Sequence, residues 1–340
     1  MALPCSFPEV MSPVRRVLIF IILITSTGIA GEAPGGDAEF TSLRVQPESL
    51  VLSSPEATDR ILVWGVTAGG ELRDVTHLAS FQPTQSDIVA VHSEGTVVPI
   101  RDGIVEIEIR AADLEARCRA EVRDVTVPLP VSFAGQVIPV LSKAGCNAGS
   151  CHGKAEGQNG FRLSVFGYDS VADHQAIVME GRGRRVFPAA PAHSLLLRKA
   201  IGTSPHGGGR RIEADSRWYR LLERWITEGA GRNQIVEERR VNHIEVQPAE
   251  ITLLPRSQQR LRVVAVRSDG VQTGVTAECD FQSNHTPVAE VDHDGLVTAT
   301  EVPGEAGILV RYRGHVAVCR INRPLPNSEF EPRENLSELD

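Results

Sequence analysis

The 340-residue sequence predicts a multidomain chain, two all-β sandwiches flanking a small, mainly α domain. Three observations predict it. One stretch of sequence occurs twice, about 200 residues apart. Each copy is patterned as short strands. The segment between the copies spaces its apolar residues at helical intervals.

Composition bounds the problem first. Hydrophobic residues make up 41% and charged residues 23%, ordinary values for a soluble globular chain, and aromatics only 5%, which implies small cores. The formal net charge of −8 argues for neither nucleic acid nor an anionic membrane surface as partner. Residues 1–30 read as a secretory signal peptide: Arg15 and Arg16, an apolar run from Val17 to Ile24, then Gly28 and Ala30 before a cleavage point. The run is short for a spanning helix, with an uncleaved anchor as the other reading. The expected location is therefore exported, periplasmic or cell surface, with cell-envelope association possible.

The first copy covers 43–127 and the second 243–323. Val75, Thr76, Phe81, Val91 and Gly95 fall on Val275, Thr276, Phe281, Val291 and Gly295. "GIVEIEIRA" sets Val105, Ile107 and Ile109 against Ile104, Glu106 and Glu108, one face apolar and the other mostly charged. "AGGE", "SDG" and "DHDG" supply turns. With their V-x-P entry, V-T strand start and V-A-x-V strand, both copies resemble bacterial Ig-like domains of group 2. That resemblance implies spacer or adhesive modules on exported proteins. Cys279 and Cys319 can form a disulfide across the second copy or remain two buried thiols; Cys118 reads as a buried, inert thiol.

Between them lies 131–232, followed at the far end of the chain by a tail, 324–340. Phe133, Val137, Val140, Leu141 and Ala144 predict a helix that Pro139 kinks or shortens. Trp218, Leu221, Leu222, Trp225 and Ile226 predict a closing helix, capped by Asp215 or Ser216 and stopped at Gly229. "GFRLSVFGYDS" reads as a short hairpin.

The first of these helices runs into "KAGCNAGSCHGK". Two cysteines followed directly by histidine are the elements of covalent haem attachment, with thioethers to the vinyl groups and imidazole on the iron. The spacing here, Cys146-x₄-Cys151-His152, is two residues longer than the common one. A Cys146–Cys151 disulfide and a zinc site completed by His174, His193 or His206 stay open as alternatives. Arg182, Arg184 and Arg185 can meet haem propionates or form a solvated loop. No G-x-S-x-G elbow is present, so hydrolase chemistry is not supported; whether the chain is an enzyme stays open, with a haem-binding, electron-transfer role favoured over catalysis.

"GCNAGSCHGKAEGQNGFRLSVFGYD", "GRRVFPAAPAHSLLLRKAIG", "PHGGGRRI" and "WYRLLERWITEGA" together resemble the cytochrome c-like module of large exported planctomycete proteins, set between Ig-like domains. In that family further domains follow, of which "FEPRENLSELD" resembles only a beginning. The resemblance implies a haem c cofactor on Cys146 and Cys151 with His152 as proximal iron ligand. His206 stands where the family places its sixth ligand, with Met179 as another candidate. The function so implied is single-electron transfer with a redox partner that the sequence does not name. The alternative is a haem-free surface structural or adhesive protein with a Cys146–Cys151 disulfide.

Overall fold

The computed structural model describes residues 40–232 and 240–325; the expected signal peptide and the tail beyond 325 lie outside the described residues. The first copy holds β1 (Phe40–Gln46), β2 (Ser49–Leu52), β3 (Asp59–Arg60), β4 (Leu62–Thr67), β5 (Leu72–Asp74), β6 (Ser80–Pro83), β7 (Val89–Val91), β8 (Thr96–Pro99), β9 (Gly103–Ala111) and β10 (Leu114–Val122). They form three small sheets, ordered β1-β4-β5, β2-β10-β9-β6 and β3-β8-β7. Strand β2 runs parallel to β10, and every other pair is antiparallel.

Among the described residues four α-helices follow: α1 (Ile138–Lys143), α2 (Ser170–Val178), α3 (Leu195–Ala200) and α4 (Arg217–Thr227). The second copy then repeats the first, as β11 (Val241–Gln247), β12 (Glu250–Thr252), β13 (Gln258–Arg260), β14 (Arg262–Arg267), β15 (Gln272–Gly274), β16 (Asp280–Ser283), β17 (Ala289–Val291), β18 (Leu296–Ala299), β19 (Gly304–Tyr312) and β20 (His315–Arg323). Its sheets have the same order, β11-β14-β15, β12-β20-β19-β16 and β13-β18-β17.

Small details are duplicated with the topology. The Thr76 hydroxyl accepts from Val63 N at 2.9 Å, and that of Thr276 from Val263 N at 2.8 Å. Gly95, at φ +81°, lies where a Cβ would sit 2.3 Å from the Ile61 carbonyl, so only glycine closes that turn. On β9 the apolar face buries Val105, Ile107 and Ile109 while Glu106 stays in solvent.

Each copy has its own core, and Cys118, Cys279 and Cys319 are buried in them as free thiols. Of the two arrangements open for Cys279 and Cys319, the chain therefore adopts the separate thiols. Burial pushes the thiols of Cys118 and Cys319 from the ordinary 9.0 up to about 12. Above pH 9 the unfolded chain loses these protons while the folded chain keeps them, so stability falls as pH rises toward 12. Each thiol contributes about 1.4 kcal/mol per pH unit in that window. Urea midpoints followed upward from pH 9 should therefore fall less steeply in Cys118→Ala/Cys319→Ala than in the parent chain.

The fold class expected from sequence is corrected. The described residues are mostly β, in six sheets, and although the elements of 131–232 are helical, the small cytochrome c-like domain expected there is not shown. Its helices span six to eleven residues and are joined by turns. The Phe133–Ala144 stripe begins as a π-turn, Phe133–Val137, and only Ile138–Lys143 is α-helical, with Pro139 in the first turn where its missing N–H is tolerated. The expected hairpin is absent: a lone bridge, Gln158 to Phe161, precedes a 3₁₀ turn at Val165–Gly167. Phe166 at φ +54° and Gly167 at φ +73° break the extended run. In the closing helix Ser216, of the two possible caps, accepts from Tyr219 N at 3.2 Å. Leu221, Leu222, Trp225 and Ile226 are buried on that helix as the spacing requires, with Tyr219, while Trp218 is only partly covered.

The two β copies lock directly to one another. Arg262 grips Asp59 with two bonds of 2.9 and 2.7 Å, and both side chains are at most 6% exposed. Arg60 donates to the carbonyls of Leu261 (3.0 Å) and Asp294 (2.8 Å). Asp74 accepts from Gln259 Nε2 (3.2 Å) and Arg260 N (2.8 Å). The contact is quasi-twofold, since β3 meets β15 and β13 meets β5. Asp59 packs where a Cβ on Gly274 would lie within 2.1 Å of its carboxylate; the equivalent Gln259 meets the equivalent Asp74.

The intervening segment clamps both copies. Arg224 on α4 pairs with Glu56 through two bonds (3.0 and 2.8 Å) and also donates to Leu129 O. Arg217 reaches Glu56 O and Thr58 in the first copy and Glu278 (2.8 Å) in the second. Lys143, buried at the end of α1, donates to the carbonyls of Cys279 and His293, and burial lowers its pKa.

Candidate functional site

Helix α1 delivers the chain into a compact run of turns. Cys146 N donates to Leu141 O, Cys151 N to Ala148 O and His152 N to Cys146 O. Gly153 allows the coil to close, since a Cβ there would lie 2.1 Å from Asn147 O. Asn147, buried, holds the start of the loop to α1 through Ser142 at 2.8 Å.

These turns, the loop before α3 and the 205–211 loop enclose a cavity of about 680 Å³. Cys146, Cys151, His152 and His206, the four residues singled out from sequence, all line it. The rings of His152 and His206 stack across it with centroids 6.1 Å apart and planes 7° from parallel. His152 Nδ1 is tied to Phe161 O (3.1 Å) and His206 Nδ1 to Gly209 O (3.0 Å). Whenever either ring is neutral, its carbonyl partner favours the tautomer with the proton on Nδ1, leaving Nε2 as an acceptor. Burial lowers the pKa of His152, and His206, Arg185 and Lys199 add to the effect by repulsion. Burial also raises the Cys146 thiol to about 11, whereas Cys151 lies 3.6 Å from an Arg211 nitrogen.

Of the other candidates, Met179, His174 and His193 fall elsewhere. Met179 is 70% exposed, and His193 is exposed in the Pro191–His193 turn. His174 bonds to Ala230 O at 2.8 Å and packs edge-on to Phe133, a core-supporting role. Of the basic run, Arg182 is exposed, whereas Arg184 and Arg185 line the cavity; Arg185 is buried, bonded to the carbonyls of Ala176, Glu180 and Gly160 and stacked on Phe161 at 4.4 Å. Lys199 and Arg211, which sequence reasoning passed over, complete a cationic wall; spacing from the cysteine pair gave no signal for them.

No protein-family model matches the chain, and no curated protein matches it. Among solved structures it is similar to the surface-layer protein SbsC, at 9% identity and TM-score 0.23 over 86% of this chain and 29% of that one. It is also similar to domains 5–6 of SbsC, at 10% identity and TM-score 0.33, covering 84% and 99%. The third is invasin, a bacterial integrin-binding protein, at 11% identity and TM-score 0.18, covering 83% and 38%. The chain thus spans under a third of the longer surface-layer protein. At these scores none of the three carries an argument about this chain.

The reading as an exported c-type cytochrome passing single electrons through a covalent haem is corrected. It required a small α cytochrome domain, and the described residues are mostly β, with no cytochrome-like domain shown among them. Among the described residues no group of three or more His, Cys, Asp or Glu side chains is placed to hold a metal ion. The same finding removes the zinc alternative, which needs about four such donors. The alternative disulfide is also not formed, because Cys146 and Cys151 are both free thiols.

Proposed function

We propose that the chain is a haem-free structural or adhesive protein of the cell surface, whose two β copies and intervening segment act as one rigid spacer. The observation that carries this reading is the interlock. The two β copies share a buried bidentate ion pair, and Arg217 bonds to both of them. A chain of independent beads on linkers has exposed, sparse contacts between domains; burying charge between them commits the modules to one arrangement. The signal-like pattern of residues 1–30 supports export, and the resemblance to Ig-like spacer modules supports a structural role. No helix among the described residues is long and apolar enough to cross a membrane.

Single-molecule pulling from residues 40 and 325 tests the rigid-spacer reading. The expected record is one dominant rupture that releases the interface together with the modules. Separate small ruptures, with the two β copies parting before either unfolds, would contradict it.

A further inference from the structure

We propose that the cavity beside the cysteine and histidine turns is a binding site for an aromatic anion, its charged head a carboxylate or a phosphate. This goes beyond the structural reading, because a spacer needs no ligand. The cavity holds about 680 Å³, within the range of small-molecule sites. Its lining carries charge of one sign. Arg184, Arg185, Lys199 and Arg211 all contribute to it, and no aspartate or glutamate does. The whole chain has 43 acidic residues against 35 lysines and arginines, so this local excess of cations runs opposite to the composition.

Among the described residues none of the four cations has a carboxylate within ion-pair distance, whereas Arg210, next to Arg211 but outside the lining, pairs with Glu213 at 2.9 Å. Their contacts are neutral. Lys199 donates to Pro205 O at 3.0 Å, Arg211 reaches the Cys151 sulfur at 3.6 Å, and Arg185 bonds to backbone carbonyls. Cations gathered on one concave surface without counter-charges draw anions in and hold them by charge-assisted hydrogen bonds. These charges are also within reach of a ligand, since Arg184 and Arg211 are exposed and Lys199 is half-buried. Leu195, Leu196 and Cys146 line the same cavity and are each half-buried, so apolar surface is open as well. A bare inorganic ion uses the cations alone and leaves most of the volume unfilled. A ring system carrying an anionic head uses both the charge and the apolar surface.

Titration calorimetry of the full-length protein at about 0.15 M salt, where distant surface charges are screened, tests the proposal. The probes are 2-naphthoate and 2-naphthyl phosphate, with 2-naphthamide as the uncharged counterpart and acetate and inorganic phosphate as heads without a ring. Saturable binding of at least one naphthyl anion is expected, and the tighter of the two assigns the head. The amide and the bare heads should bind about tenfold more weakly or less. Arg184→Gln/Lys199→Gln should weaken the naphthyl anion about tenfold, and Arg184→Lys/Lys199→Arg should restore it. Arg198→Gln, which removes an exposed cation of α3 outside the cavity, should leave it unchanged. Should the double variant fail to fold, Arg184→Gln alone, with an expected loss of about threefold, decides. No saturable binding of either naphthyl anion overturns the proposal. So does an amide or a bare head that binds as tightly, or an Arg198→Gln loss as large as that of the cavity variants. None of these outcomes bears on the rigid-spacer reading, which pulling decides separately.

Discussion

Asp59→Ala is expected to destabilise the protein by roughly 3–5 kcal/mol, read as a lowered urea midpoint. The reason is what the substitution leaves behind. Arg262 is 6% exposed, and two of its donors point at the Asp59 carboxylate. Its remaining partner there is Gln247, at 2.8 Å. Without Asp59 a guanidinium stays buried with no counter-charge, and Arg60 N loses its acceptor as well. Replacing both members, as Asp59→Ala/Arg262→Met, should recover most of the loss, because a buried pair removed whole is far less costly than one half-removed. If the single and double variants unfold alike, the ion pair is not what holds the two copies together.

Gly274→Asp is expected to cost a comparable amount, roughly 3–5 kcal/mol. Position 274 is the counterpart of Asp74, so the change merely restores the residue that the first copy carries. Yet a Cβ at 274 would lie 2.1 Å from Asp59 Oδ1, and the new carboxylate would face an existing one. The mirror position tolerates aspartate because Gln259, not an acid, stands opposite and donates to it at 3.2 Å. Making the interface symmetric should therefore help: Asp59→Gln, Arg262→Leu and Gly274→Asp together install the same pairs on both sides. The triple variant is expected to be more stable than Gly274→Asp alone. The converse would show that the quasi-twofold relation does not govern the contact.

The duplicated β units were legible because strand alternation and turn residues are local signals, and Val75, Thr76 and Gly95 recur at one offset. The lock between them was not. Asp59, Asp74, Gln259 and Arg262 read as ordinary polar strand residues, and nothing in their neighbours announces burial against another module. One signal was available: positions 59/259, 62/262 and 74/274 exchange Asp for Gln, Leu for Arg and Asp for Gly between otherwise similar copies. Divergence in size and charge at paired positions is the mark of a complementary contact.

In the middle segment the stripe on α4 is long enough to show its period, apart from Trp218, which turns toward the module junction. The hairpin expectation failed because Phe166 takes a left-handed conformation that a bulky residue rarely adopts. Ser164, whose N–H and hydroxyl both bond to Asp173, shows what holds that bend. The cysteine and histidine spacing pointed to residues that do gather on one cavity, but neither a cytochrome c-like domain nor a cluster of metal-ligating side chains is shown among the described residues to support the metal chemistry inferred from it.

The most direct measurement is the intact mass and visible absorption spectrum of full-length protein exported from a host able to mature c-type cytochromes. A colourless protein with the mass of the unmodified chain, less only a cleaved signal, is the predicted result. A Soret band that stays with the denatured chain, together with a mass increased by one haem group, would contradict the account and return Cys146, Cys151, His152 and His206 to redox chemistry.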